Sequence, residues 1–237
     1  KHTALTKMLD VLRYWKITYH IDGFHIMGEG ISQELFMKDP LLADCKLFFH
    51  DVDGHNILHG EAPKFKNAAE YNEGFLYSMR HVLKGDENMT DEFMFRQKRN
   101  PLCNGVINYM ADQDGFTVMD MVSYEERHNE ANGEENQDGI SYNCSWNCGI
   151  EGATRKTAIK ELRLKQMKNA FSLLLFSQGT PLIFQGDEWG NTQKGNNNVW
   201  CQDNELSWID WNGRKNQEKL WEFVKRAIQI RKENPIL

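Results

Sequence analysis

The chain has 237 residues, 40% of them hydrophobic and 26% charged, with a formal net charge of −6. That length holds one large domain or two small ones, and the apolar content is ordinary for a soluble globular protein. The 28 Lys and Arg are scattered among 34 Asp and Glu, so no basic stripe exists and a nucleic-acid footprint is excluded. Five cysteines (Cys45, Cys103, Cys144, Cys148, Cys201) do not make a disulfide framework in a chain of this length. Cys144 and Cys148 lack a second Cys or His pair at zinc-like spacing, so the expectation there is loop packing rather than a metal. The opening KHTALTKMLDVLRYW has no signal-peptide core, and no apolar run of about 18 residues exists to span a membrane. Reduced thiols and a cytoplasmic location follow as expectations.

In chain order, Leu5, Met8, Leu9, Leu12 and Trp15 recur at helical spacing and predict an amphipathic helix. Thr18–Met27 then reads as a strand ending near Gly28. Cys45–Val52 and Gly105–Ala111 are short apolar strands, and Thr180–Gln185 is another, closed by Gly186-Asp187-Glu188. Between the last two strands lies a strong helix with Ile159, Leu162, Met167, Ala170, Phe171 and Leu174 on one side. A final helix from about Gln217 turns Leu220, Phe223, Val224, Ala227 and Ile230 inward and is stopped by Pro235. Short apolar strands alternating with amphipathic helices predict an α/β fold with a parallel sheet covered on both faces. The choice is between a doubly wound sheet and a (β/α) barrel. No glycine-rich phosphate loop follows any strand, which removes support for a nucleotide-binding sheet. The acidic pairs Asp51/Asp53, Asp112/Asp114 and Asp187/Glu188 all sit where strands end, which is where a barrel places its functional groups. Two polar stretches, Gly115–Gly152 and Gly190–Trp211, interrupt the rhythm; their aromatic residues predict ordered loops over the C-terminal face.

Those loops carry a resemblance. SYEERHNEANGEENQDG, NCSWNCGIEG and SQGTPLIFQGDEWGNTQKGNNNVWCQDNELSWIDW closely resemble isoamylase-type glycogen and starch debranching enzymes of the α-amylase superfamily, glycoside hydrolase family 13. LRYWKITYHIDGF and RAIQIRKENPIL extend the resemblance to essentially the whole chain. It implies the second half, strands four to eight, of a TIM-type (β/α)8 barrel with long loops at the C-terminal face. Residues 1–237 are then a partial catalytic-domain barrel. A half-barrel leaves strand edges and an apolar interior open, so a longer chain or a second chain is expected to complete it.

The resemblance also locates three altered positions. Retaining glycosidases use two carboxyl groups about 5–5.5 Å apart, one as nucleophile and one as acid/base. The family's nucleophile segment, similar to D-G-F-R-F-D, reads Asp22-Gly23-Phe24-His25-Ile26-Met27 here. Met27 stands at the nucleophile position and His25 at that of its supporting arginine. The acid/base segment, similar to K-L-I-A-E-P-W-D, reads Lys46-Leu47-Phe48-Phe49-His50-Asp51-Val52-Asp53 and puts His50 at the acid/base position. The third segment, H-D-G-F-T in the family, follows Asp112 and reads Gln113-Asp114-Gly115-Phe116-Thr117. Asp114 is thus the only retained acid, and Gln113 replaces a sugar-binding histidine.

Histidine can donate a proton near neutral pH, but His50 supplies no nucleophile. Glu29 is the best spare carboxylate, although flanking Gly28 and Gly30 predict that the strand has ended before it. Met27 and Phe49 are also readable as core hydrophobes. His25, His50 and Asp114 lack a fourth partner for a metal, so no metal and no cofactor are expected. Among Trp146, Trp189, Trp200, Trp208 and Trp211, most are read as loop anchors, with Trp146 and Trp200 assigned to sugar contact beside His25, Gln113 and Asp114. Asp187 and Glu188 are read as structural. The resulting expectation is a catalytically degenerate homologue that binds α-glucan (glycogen, amylopectin or maltooligosaccharide) or assembles with an active debranching enzyme. Its alternatives are an active α-1,6-glucosidase using atypical residues and a structural remnant.

Overall fold

The computed structural model describes residues 2–28 and 30–237. By its internal contacts the chain forms two compact units, Lys1–Glu73 with Arg99–Ile107, and Gly74–Lys98 with Asn108–Leu237. Each has its own core.

The first unit opens with α1, His2–Tyr19, followed by β1, Gly23–Ile26. Next come α2, Gln33–Met37, then β2, Lys46–Phe49, then α3, Gly54–Ile57, and β3, Ala68–Asn72. The strands are parallel, with Gly23 opposite Lys46 and Leu47 opposite Ala68. A parallel pair buried on both faces needs small residues where backbones approach. Gly23 meets that need: a Cβ there would lie 2.6 Å from the Lys46 carbonyl oxygen. Leu9, Ile26, Phe36, Leu42, Leu47 and Phe49 fill the core of this unit. Phe49 is therefore a core residue as expected, whereas Met27 is 67% exposed and is not one. Met27 follows the last residue of β1 and has left the alternation that would have turned it inward.

Two sequence expectations are corrected here. The strand predicted from Thr18 begins only at Gly23, because α1 continues to Tyr19. The strand β3, in the sequence AAEYN, was not predicted at all, yet all five of its residues are buried. Its charged member, Glu70, pairs with Arg99, which lets a polar strand occupy a buried position.

β4, Gly105–Tyr109, begins in the first unit, beside β3, and ends in the second, where β5, Thr180–Leu182, lies next to it. α4, Glu73–Lys84, belongs to the second unit from Gly74 onward, and that unit also contains α5, Thr90–Gln97; the sequence patterning separates neither helix. The predicted long helices are α6, Thr157–Leu175, and α8, Glu218–Glu233, preceded by the single-turn α7, Gly213–Asn216. α8 ends two residues before Pro235, whose ring disfavours helix at the preceding position. Phe75, Met79, Met110, Phe116, Phe171 and Leu220 form the centre of this unit. Among the described residues no helix is long and apolar enough to cross a membrane.

Candidate functional site

The strand ends of the first unit carry four polar or soft side chains, of which His50 and Glu73 lie within 3.7 Å of each other. His25, on β1, is exposed and packs its ring against Tyr71 of β3, with centroids 4.4 Å apart and planes inclined by 30°. Met27 follows β1 and projects an exposed thioether. His50 follows β2; its side chain is 72% exposed, and its Nε2 lies 3.7 Å from Oε2 of Glu73. Glu73 sits where β3 passes into α4, and sequence reasoning missed it because β3 itself carried no apolar signal. Asp53 caps α3, accepting from the Asn56 side-chain amide at 2.7 Å, and the Asp51 carbonyl accepts from Gln33 at 2.7 Å. Both strand-end aspartates thus belong to exposed turns. Glu29 lies outside the described residues.

In the second unit the segment after β4 turns tightly. The Asp112 carboxylate accepts the Asp114 backbone N–H at 3.0 Å, and Gln113 donates to Asp114 Oδ2 at 3.3 Å. Gln113 and Asp114 are both exposed, while Asp112 is buried. Behind this turn the buried Arg80 donates to the carbonyls of Met110 (2.6 Å), Phe116 (3.0 Å) and Asn143 (2.6 Å). Desolvation lowers the Arg80 pKa, since burial disfavours its charged form.

The two long loops are tied to each other by amides. Asn129 Nδ2 donates to Asn197 Oδ1 at 2.8 Å, and Asn197 N–H donates back to Asn129 Oδ1 at 2.9 Å. Asn197 also reaches Ile140 and Asn143, and its carbonyl accepts the Gly115 N–H at 3.0 Å. Asn197 is therefore the centre of a clasp that joins the loops and holds Gly115 beside Asp114. Asp187 and Asp120 serve the same loops from inside. Asp187 accepts the Val118 N–H at 3.0 Å, and Asp120 accepts the Gln193 N–H at 2.8 Å and the Thr192 hydroxyl. Burial raises both carboxyl pKa values, that of Asp120 to about 6 and that of Asp187 well above the usual range. Glu188 accepts the Gly186 N–H at 3.0 Å, so this acidic pair serves backbone geometry, as expected.

The tryptophans divide differently from the sequence expectation. Trp189 is buried and Trp146 half-buried, but Trp200, Trp208 and Trp211 are exposed by 72%, 58% and 69%. Most of the five therefore display their rings rather than bury them in loop anchoring. Trp211 nonetheless packs against Trp189, with ring centroids 5.6 Å apart, and Trp208 Nε1 donates to Asp203 at 3.0 Å. Cys144 and Cys148 are buried free thiols, and among the described residues no three His, Cys, Asp or Glu groups gather as metal ligands.

No protein-family model matches the chain. It is 39% identical over 260 residues to the glycogen operon protein GlgX homolog of Mycobacterium tuberculosis H37Rv, covering 99% of this chain and 35% of that protein. It is 36% identical over 259 residues to the glycogen debranching enzyme of Erwinia tasmaniensis, covering 99% and 38%. Rice isoamylase 3, chloroplastic, is 36% identical over 257 residues, covering 97% and 32%. The chain belongs to the isoamylase-type glycogen debranching family. It spans about a third of the length of the curated relatives it matches. The type I pullulanase of Bacillus subtilis, solved with maltose, superposes with a TM-score of 0.66 at 19% identity, over 98% of this chain and 33% of that one. The debranching-family fold, a segment of the glycoside hydrolase family 13 barrel, is thereby shared across nearly all of these 237 residues.

Proposed function

We propose that this member of the debranching family does not hydrolyse glucan, and acts by binding α-glucan or as the non-catalytic subunit of an assembly with an active debranching enzyme. The observation that carries the reading is Met27. The residue at the family's nucleophile position has no oxygen with which to attack an anomeric carbon, and it stands exposed at the end of β1. His50 at the acid/base position and His25 at the supporting-arginine position extend the same replacement. Asp114, Gln113, Trp146 and Trp200 are proposed as glucan contacts. Relatives named for glycogen debranching, and pullulanases of this fold solved with maltose and maltotetraose, support α-glucan as the ligand class. Free thiols at all five cysteines suit the proposed cytoplasmic setting.

The decisive assay is reducing-end release from glycogen or amylopectin by the purified chain. Turnover that disappears in His50→Ala would replace this proposal with an active α-1,6-glucosidase. That rival draws on the Glu73 carboxylate 3.7 Å from His50. Affinity electrophoresis in a glycogen gel tests binding; unretarded migration leaves the chain a structural remnant.

The fold is also proposed to be completed by further chain or by a second protein. Among the described residues β1 has a single strand neighbour, and α1 exposes Tyr14, Trp15, Ile17 and Tyr19. Such an apolar face marks an interaction surface. A monodisperse monomer of these 237 residues in light scattering would contradict completion.

A further inference from the structure

The second unit holds a cavity of about 910 Å³ bounded by the first two turns of α6, the start of α8 and the loop residues near Tyr124. None of the strand-end positions discussed above lines it. Its floor is apolar, from Met119, Leu164 and Met167, and its rim is cationic. Lys160, Lys194, Lys215 and Lys219 all border it, against two acids, Glu161 and Glu218. The four lysines are exposed, and among the described residues none has a carboxylate within salt-bridge distance.

Two further features give this rim a direction. α6 has 19 residues, no acidic residue in its first turn and no side-chain cap bond from Lys156, and Thr157 and Lys160 of that first turn line the cavity. Arg163, also on the lining, is 6% exposed; its terminal nitrogens are bonded to loop carbonyls while its Nε has no partner. Lysines, an uncapped helix start and a buried guanidinium around one cavity select an anion, and phosphate above carboxylate where several donors converge. The remaining wall selects the rest of the molecule. The half-buried Tyr124 ring offers an aromatic face, and the Ser123 and Thr157 hydroxyls offer exchangeable hydrogen bonds. The volume is of the size that takes small organic ligands.

We infer that this cavity binds a phosphorylated sugar, with the phosphoryl group on Lys160, Lys219 and the α6 N-terminus and the sugar against Tyr124. The inference goes beyond the glucan reading and does not depend on it. The phosphoryl group has two sources, a free sugar phosphate or a phosphate ester on a glucan chain, and the probes separate them.

Isothermal titration of the full chain with glucose 6-phosphate, glucose and inorganic phosphate is the test, alongside phosphorylated amylopectin before and after phosphatase treatment. Saturable binding of glucose 6-phosphate, with glucose silent, assigns the free ester. Binding only of the phosphorylated polymer, lost after phosphatase, assigns the glucan-borne ester. Lys160→Ala and Lys219→Ala should each weaken binding by about tenfold, the scale of one charge-assisted contact. Lys225→Ala, on α8 but off the cavity, should leave it unchanged. Both lysines are exposed, so these variants should fold, and an unshifted thermal midpoint without ligand checks that they do. Equal affinity for inorganic phosphate, binding that survives both substitutions, or no binding of any ester would each overturn the assignment.

Discussion

Replacing Arg80 with Met should destabilise the second unit by about 3–5 kcal/mol. The guanidinium donates to three buried or loop carbonyls, those of Met110, Phe116 and Asn143, at 2.6 to 3.2 Å. Methionine fills much of the same volume but donates nothing. Each stranded carbonyl costs about 1–3 kcal/mol, and relief from burying a charge returns part of that sum. Arg80→Lys should fall between, because an ammonium keeps the charge but not the planar fork. Urea unfolding followed by tryptophan fluorescence reads the effect directly, since every tryptophan except Trp15 lies in the second unit. A loss below about 1 kcal/mol in Arg80→Met, or a lysine variant as stable as the parent, would refute the claim that these three bonds hold the turn bearing Asp114.

Other consequences are as open to measurement. Asp120 has its pKa raised to about 6 by burial, so the folded state binds its proton more tightly than the unfolded chain does. Its contribution to stability is therefore full below the ordinary carboxyl range and is lost as pH rises through about 6. The wild-type stability relative to Asp120→Asn should fall by roughly 2 kcal/mol between pH 4 and pH 7.5, and a pH-independent difference would contradict this. Cys201 is the one exposed thiol among five, and burial pushes Cys148 up to about 11, so native protein should react with one equivalent of a thiol reagent at pH 7.5. Cys201→Ser should abolish that fast phase. Trp200→Ala, at a ring 72% exposed, should reduce retardation in a glycogen gel several-fold without moving the thermal midpoint; unchanged retardation removes Trp200 from the proposed glucan contacts.

The parts of the fold that were legible in the sequence had strong apolar periodicity. α6 and α8 show the 3.6-residue pattern, and their buried residues include Met167, Phe171, Leu174, Leu220 and Val224 as read. β3 escaped because its burial rests on things sequence patterning does not display. Ala69 lies close to Gly105, whose added Cβ would sit 3.1 Å from the alanine Cβ, and Glu70 finds Arg99, which is 29 positions away. Missing β3 meant missing Glu73, and with it the carboxylate facing His50. The loops read correctly as ordered, yet their aromatic residues suggested the wrong cause. Asparagine side chains hold them, and pairing between Asn129 and Asn197 spans 68 positions with no local signature.

That asparagine clasp has a physical character of its own. It joins the loops through neutral amides that neither titrate nor attract counterions, so changes in salt or acidity that loosen pairs such as Arg13–Asp39 and Lys38–Glu34 leave it nearly untouched. Each amide donates and accepts at once, and exchanging either for aspartate would set a carboxylate against a carbonyl oxygen. Sensitivity to acidity enters these loops instead through carboxylates, Asp138 beside Asn132 and Asn198, and Asp120 beneath Thr192 and Gln193.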